Sequence, residues 1–400
     1  MRTYPFGLAV LLFVQSAALA AKPAPLPEST PWNVKRLSKA PQVEWLDQKS
    51  KVHSLQYTGE AYRGKPTEVF AYYASPATLG AAGKDQKFPG IVLVHGGGGA
   101  AFSNWAQLWA RRGYAAIAMD LAGKGAGRKR LDRGGPDQSD AVKFGQIDAP
   151  IKDQWTYHAV SNVILAHSLL LEMDSVDRRR TALTGISWGG YLTCIVAGLD
   201  QRFKVAMPVY GCGFLKDNSY WVGPQFGKMK PAQREKWHNL WDPSRYIGSA
   251  TMPLVFLNGT NDFAYPMDSY AKTCALVQGE KNYSIQLRMR HGHIFDFPEF
   301  FLFVDQYIKG TAKMPVVARP TIKGGRVTAT VTSPTKIISA RLHYTTGPHQ
   351  QNGRRAWVSK PLQVDGEKIY GPAPPRAATV WYVDVRNAQK ALVSSQIMVK

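Results

Sequence analysis

Along most of the chain, short apolar runs alternate with stretches whose apolar residues recur at helical spacing, and only the C-terminal part alternates apolar and polar residue by residue. Residues 90–94, 114–119, 181–184, 205–210, 253–257 and 283–289 read as strands, most of them unbroken runs of the kind found in the middle of parallel sheets. Helical spacing lies between them. Asn104 is the expected cap of a helix that presents Trp105, Leu108 and Trp109 on one face and stops at Gly113. A longer helix after Asp153 carries Val160, Val163, Ile164, Leu170 and Leu171, and another spans residues 298–308. Repeated strand–helix alternation with short linkers predicts a mostly parallel sheet covered by helices on both faces. Two further strand-like segments, residues 52–57 and 67–73, form an N-terminal β extension. After Lys313 the period changes to two, as in residues 326–331, 338–342 and 380–385, and predicts a small all-β, sandwich-like domain over 313–400.

The first residues belong to neither pattern. Met1-Arg2 supplies a positive end, residues 6–14 are mostly apolar, and Ala18-Leu19-Ala20 fits a cleavage site. Residues 1–20 therefore read as a signal peptide, leaving a catalytic region over 21–312 and a secreted or periplasmic protein. The apolar stretch is too short to span a bilayer, and no other transmembrane segment is expected. Three cysteines, Cys194, Cys212 and Cys274, are too few for a disulfide framework. The formal charge of +22 favours acidic polymers or anionic surfaces. Its cations are scattered apart from Arg128-Lys129-Arg130 and Arg178-Arg179-Arg180, and no nucleic-acid-binding module accompanies them.

The candidate chemistry begins at Gly185-Ile186-Ser187-Trp188-Gly189-Gly190, a G-x-S-x-G run between a strand and a helix. That context turns the backbone sharply and lifts a serine hydroxyl above the sheet. A serine nucleophile needs a base, an acid to orient that base, and donors for the oxyanion. Asp262 follows the strand at residues 253–257 in a Gly/Asn-rich loop at the carboxyl end of the sheet, where open α/β folds bind ligands. Asp242 and Asp268 are weaker alternatives because neither closes a strand. The strand at 283–289 then leads to Arg290-His291-Gly292-His293. His293 is the expected base, with His291 the alternative; as metal ligands the pair lacks a third partner. The Trp188 backbone N–H and that of Gly97, in the run His95-Gly96-Gly97-Gly98-Gly99, are the expected oxyanion donors.

With those residues in order, the stretch from Glu68 to Gly310 resembles the α/β-hydrolase superfamily, in its branch of acetylxylan esterases, dienelactone hydrolases and prolyl-oligopeptidase catalytic domains. The resemblance implies the α/β-hydrolase fold and a serine hydrolase that works without metal or organic cofactor. Departures are visible. The stretch before Glu68 is too short for a β-propeller, Ser187 stands where dienelactone hydrolases use cysteine, and the β-rich C-terminal part is foreign to many acetylxylan esterases.

A cap around residues 211–246 is rich in aromatics, of which Trp221 and Trp241 are the expected sugar-stacking side chains. The expected substrate is a small ester or an acylated polysaccharide, deacylated through an acyl-enzyme on Ser187. A peptidase acting on short peptides, or a carbohydrate-binding protein on an inactive hydrolase scaffold, are the alternatives.

Overall fold

The chain is described here by a computed structural model covering residues 22–83, 85–311 and 313–400. The expected signal peptide lies outside these residues. A one-turn helix α1 (Val34–Leu37) precedes three antiparallel strands, β1 (Val43–Asp47), β2 (His53–Tyr62) and β3 (Lys65–Ala74). The strands β4 (Phe88–Val94), β5 (Ala115–Met119), β6 (Val176–Ile186), β7 (Val205–Val209), β8 (Leu254–Gly259) and β9 (Lys281–Gln286) then build a parallel sheet. Pairings give the spatial order β1-β2-β3-β5-β4-β6-β7-β8-β9, with β3 antiparallel to β5.

Every residue of β4, β5, β7 and β8 is buried, so both faces of the sheet are covered, as their unbroken apolar runs require. The covering helices are α2 (Ser103–Ala110), α3 (Asp140–Gly145), α4 (Trp155–Glu172), α5 (Trp188–Leu199), α6 (Pro231–Trp241), α7 (Met267–Leu276) and α8 (Glu299–Ile308). Helix α2 packs on α8 through Trp109 and Phe301, ring centroids 5.0 Å apart. Helix α4 packs on α5. One local expectation fails: α2 starts at Ser103 with Phe102 at the N-cap, so Asn104 lies inside the first turn. Phe102 cannot cap, and packs instead against Trp105 at 4.7 Å and His293 at 5.1 Å.

The C-terminal strands are β10 (Val316–Val317), β11 (Thr321–Lys323), β12 (Arg326–Thr332), β13 (Ile337–Thr345), β14 (Val358–Asp365), β15 (Lys368–Pro372), β16 (Val380–Asn387), β17 (Leu392–Ser394) and β18 (Met398–Val399). They pair in the order β11-β12-β15-β14-β13-β16-β17, with β10 beside β12 and β18 beside β16. Their inward residues Val327, Ala329, Val331, Leu342, Val383 and Val385 are buried, which accounts for the alternating sequence. These strands do not stand apart from the parallel sheet. Strand β17 pairs antiparallel with β9 at Ser394 and Tyr283. The Ser284 hydroxyl donates to the Leu392 carbonyl at 2.8 Å, and Ile285 N–H donates to Ser394 Oγ at 3.0 Å. The three cysteines are buried and unbridged. Among the described residues, no helix is long and apolar enough to cross a membrane.

Candidate active site

Ser187 stands between the end of β6 and the start of α5 with φ 62° and ψ −119°, a conformation few non-glycine residues adopt. The surrounding packing holds it there. A Cβ on Gly189 would lie 2.0 Å from the Val94 carbonyl oxygen, and one on Gly185 would lie 2.3 Å from the Gly189 carbonyl oxygen. The helix can therefore press onto the strand ends only where those positions carry no side chain. Ser187 N–H donates to the Val209 carbonyl at 2.9 Å, which ties the elbow to the neighbouring strand β7.

The histidine joined to this serine is His291, not the expected His293. His291 Nδ1 lies 2.6 Å from Asp262 Oδ2, and its Nε2 lies 2.8 Å from Ser187 Oγ. With Asp262 ionised, Nδ1–H donates to the carboxylate, and Nε2 is left to accept the serine proton. The imidazole stacks on Tyr210 at 4.5 Å, which limits its rotation. Asp262 is buried, and its Oδ1 accepts from Ala264 N–H at 2.9 Å and Tyr265 N–H at 2.8 Å. Asp242 serves elsewhere, accepting from the backbone amides of Phe214, Leu215 and Ser244. Asp268 accepts from Asn218 Nδ2 at 3.0 Å.

His293 turns toward the glycine loop. Its Nε2 accepts the Gly96 N–H at 3.0 Å, and burial lowers its pKa to about 4, keeping that nitrogen free to accept. The loop passes close to the nucleophile: a Cβ on Gly96 would lie 2.9 Å from Ser187 Cβ, and one on Gly97 would lie 2.9 Å from Trp188 Cδ1. The two expected oxyanion residues are thus neighbours. Trp188 is the first residue of α5, so its N–H is one of those a helix start leaves without an intrahelical acceptor. The loop is braced from behind by buried His95, whose Nε2 accepts Leu121 N–H at 2.9 Å. Burial likewise brings His95 to about 4.

The cap aromatics divide differently from expectation. Trp241 is fully buried, with its indole N–H donating to Gln154 Oε1 at 2.8 Å, so it cannot meet a substrate. Trp221 is also buried, packed on Trp188 at 4.6 Å and Tyr265 at 5.4 Å. Both side chains close the cap on the sheet, which removes more apolar area from water than standing exposed would. Lys143, missed in the sequence, sits over Trp188 with Nζ 4.2 Å from the ring centroid while paired to Asp140 at 2.8 Å. Nothing in the sequence marks it, because the cation reaches Trp188 only through tertiary packing. Buried Tyr265 stacks on His291 at 6.3 Å, and its hydroxyl has no hydrogen-bond partner among the described residues.

The exposed aromatics are Tyr220 and Phe263, 54% and 55% accessible, with ring centroids 5.7 Å apart. Phe263 also lies 5.0 Å from the His291 ring. The two rings line a cleft of about 570 Å³, which His349, Asn352, Gly353 and Arg354 of the C-terminal part also line.

Comparison with known proteins bears on this arrangement. The model of the prolyl oligopeptidase family matches residues 100–302, just over half of the chain. A curated relative, the uncharacterized peptidase YuxL of Bacillus subtilis, is 25% identical over 203 residues, which cover 45% of this chain and 27% of that protein. The match therefore spans little more than a quarter of that relative's length. Among solved structures, the acetyl xylan esterase of Paenibacillus sp. R4 is 21% identical with a TM-score of 0.55, over 69% of this chain and 92% of that one. Acetyl xylan esterase 1 of Thermoanaerobacterium sp. JW/SL YS485 is 17% identical with a TM-score of 0.53, over 71% of this chain and 95% of that one. The strand order, the serine elbow, its histidine and carboxylate, and the matching family model agree: the chain belongs to the prolyl oligopeptidase family, within the α/β-hydrolase superfamily.

Proposed function

We propose that this serine hydrolase is a carboxylic ester hydrolase that removes acetyl or another small acyl group from a carbohydrate. The observation that carries the proposal is the unbroken line from Asp262 through His291 to Ser187, at 2.6 and 2.8 Å. His291 Nε2 takes the proton of Ser187 Oγ as that oxygen attacks the ester carbonyl. The resulting oxyanion rests on the N–H of Trp188 and that of Gly97, since His293 takes the Gly96 N–H; each such donor supplies about 3 kcal/mol in comparable enzymes. The C–O bond to the alcohol then breaks, and His291 returns the proton to the departing oxygen. Water, deprotonated by the same histidine, releases the acid and restores the serine.

The packing around Trp188 supports a small acyl group. Trp188, next to the nucleophile, is buried with Trp221 packed on it and Tyr265 packed on Trp221. The carbohydrate fits the exposed Tyr220 and Phe263 beside the base, and the solved esterases that share this fold carry acetyl xylan in their names. The signal-like residues 1–20 and the charge of +22 support an extracytoplasmic role on acidic polymers.

The family match itself favours a second reading, a peptidase acting on short peptides. Against it, none of the residues lining the cleft carries a carboxylate that could hold a peptide's terminal ammonium. Incubation with acetylated xylan and with an aminoacyl p-nitroanilide, each with Ser187→Ala as control, separates the two. Serine-dependent acetate release without anilide cleavage is the expected result; anilide cleavage alone would replace the esterase by the peptidase.

A further inference from the structure

The cleft beside His291 is built from two distant parts of the chain. One wall is the acid loop with Phe263 and Pro266, joined by Asn218, Ser219 and Tyr220 of the cap; the other is the turn at residues 349–354, between β13 and β14. The second wall is keyed to the first. Buried Asn352 donates through Nδ2 to the carbonyl oxygen of Asp262 at 2.6 Å and accepts Met267 N–H at 3.3 Å. Asn261 Nδ2 donates to the Arg355 carbonyl at 2.9 Å, and Asn218 Nδ2 to the His349 carbonyl at 3.2 Å. A hydrogen-bonded wall of this kind holds its side chains in place before any ligand arrives.

Chemistry says what should enter. The base that deprotonates Ser187 must later protonate the leaving alcohol, so the alcohol occupies the side of the site on which His291 is open. On the acyl side Trp188, Trp221 and Tyr265 are packed shut. Phe263, 5.0 Å from the His291 ring and more than half exposed, is the first surface beyond the histidine, and Tyr220 continues it. Aromatic faces held in water beside carbonyl and amide groups suit a polyhydroxylated ring, which has an apolar face and a polar rim. Exposed Arg354, with no carboxylate among the lining residues, favours an anion over a cation.

We propose that this cleft is the subsite for the alcohol half of the ester, that it takes a sugar unit bearing or adjoining a carboxylate, and that the C-terminal β-rich part supplies one wall of it. The proposal rests on the esterase reading and gives it a substrate class. The C-terminal part then has a direct share in substrate choice through Arg354 and the 349–354 turn.

Binding separates this proposal from the question of turnover. The Ser187→Ala chain is titrated calorimetrically with a glucuronosyl-bearing xylo-oligosaccharide and with the neutral oligosaccharide of equal length. The uronate-bearing ligand is expected to bind more tightly. Adding Phe263→Ala should weaken both ligands by roughly tenfold, and adding Arg354→Glu should remove the preference for the acidic one by roughly fivefold or more while leaving the neutral one little changed. Both side chains are exposed, and circular dichroism checks that the variants fold. If neither oligosaccharide binds, or if both variants bind them as the parent does, the subsite is elsewhere and the proposal falls, whatever ester the intact enzyme proves to cleave. If the oligosaccharides bind as expected but acetate is never released from acetylated xylan, the subsite stands and the acetyl-ester reaction is what fails.

Discussion

His291 and His293 are separated by one glycine and face different partners. The first bridges Ser187 and Asp262, and the second accepts a backbone N–H from the oxyanion loop. His291→Ala should therefore lower kcat by roughly a million-fold, the loss typical of a missing triad base. His293→Ala leaves the proton path intact and loosens only the loop, so its loss should be nearer tenfold to a hundredfold. Steady-state kinetics on a small acetate ester decides between them, and the reverse ranking would return the base to His293. Buried histidines also set a pH dependence. His95, His158 and His293 have pKa values of about 4 in the fold because burial disfavours the imidazolium, against 6.5 in an unperturbed side chain. Between those values the unfolded chain binds more protons than the folded one, so stability is full above about pH 6.5 and falls as pH drops toward 4. Asp120 opposes this: burial raises its carboxyl to about 6, so between there and its unperturbed 3.8 the folded chain holds the extra proton. Burial raises Glu299 in the same sense as Asp120 but lowers His167 and His53 like the three above, so the histidines outweigh the two carboxyls. Thermal unfolding followed from about pH 7 to about pH 4.5 should show a falling Tm; a flat profile would mean that these imidazoles are not buried in neutral form.

At the scale of single elements, the join of β6 to α5 rests on the absence of side chains. Gly189→Ala places a methyl group 2.0 Å from the Val94 carbonyl oxygen and 2.8 Å from that of His95, both rigid backbone. It should cost more than about 3 kcal/mol, readable as a shifted urea midpoint. Gly145→Ala, at the last residue of α3 with nothing within 4 Å, is the control and should be neutral or stabilising by up to about 1 kcal/mol. Equal effects would show that the elbow is not packed as described. This element is also the most legible one in the sequence. The alternation of residues 181–197 from strand to helix, with glycines at 185, 189 and 190, already places Ser187 at the turn. The cap is the least legible. Trp221, Trp241 and Tyr220 look alike in a list of aromatics, yet two are buried and one is half exposed, because the cap's fold onto the sheet, not its composition, chooses which ring faces water.

For the whole molecule, the parallel sheet and the C-terminal strands share structure at three places. Strand β17 continues the sheet beyond β9, Leu392 N–H donates to buried Glu299 Oε1 at 2.6 Å, and Asn352 supports the loop of Asp262. A chain ending at residue 312 would uncover the β9 edge and leave those buried groups without partners. We expect it to be poorly soluble and to lose most ester hydrolysis, by comparison of soluble yield and specific activity with the full chain. A soluble truncation with full activity would make the C-terminal part dispensable to the site. By itself, the sequence determined the α/β alternation, the β character of the last strands, the order Ser187, Asp262, histidine, and the glycine loop. Each of these depends on local period or on which residue ends a strand. Only the tertiary structure decided which histidine bridges the serine and the acid, which aromatics remain exposed, and that residues 349–354 stand against the loop of Asp262. Those choices depend on the direction a side chain takes and on contacts between segments some ninety residues apart in the chain, as between Asn352 and Asp262, which no local pattern encodes.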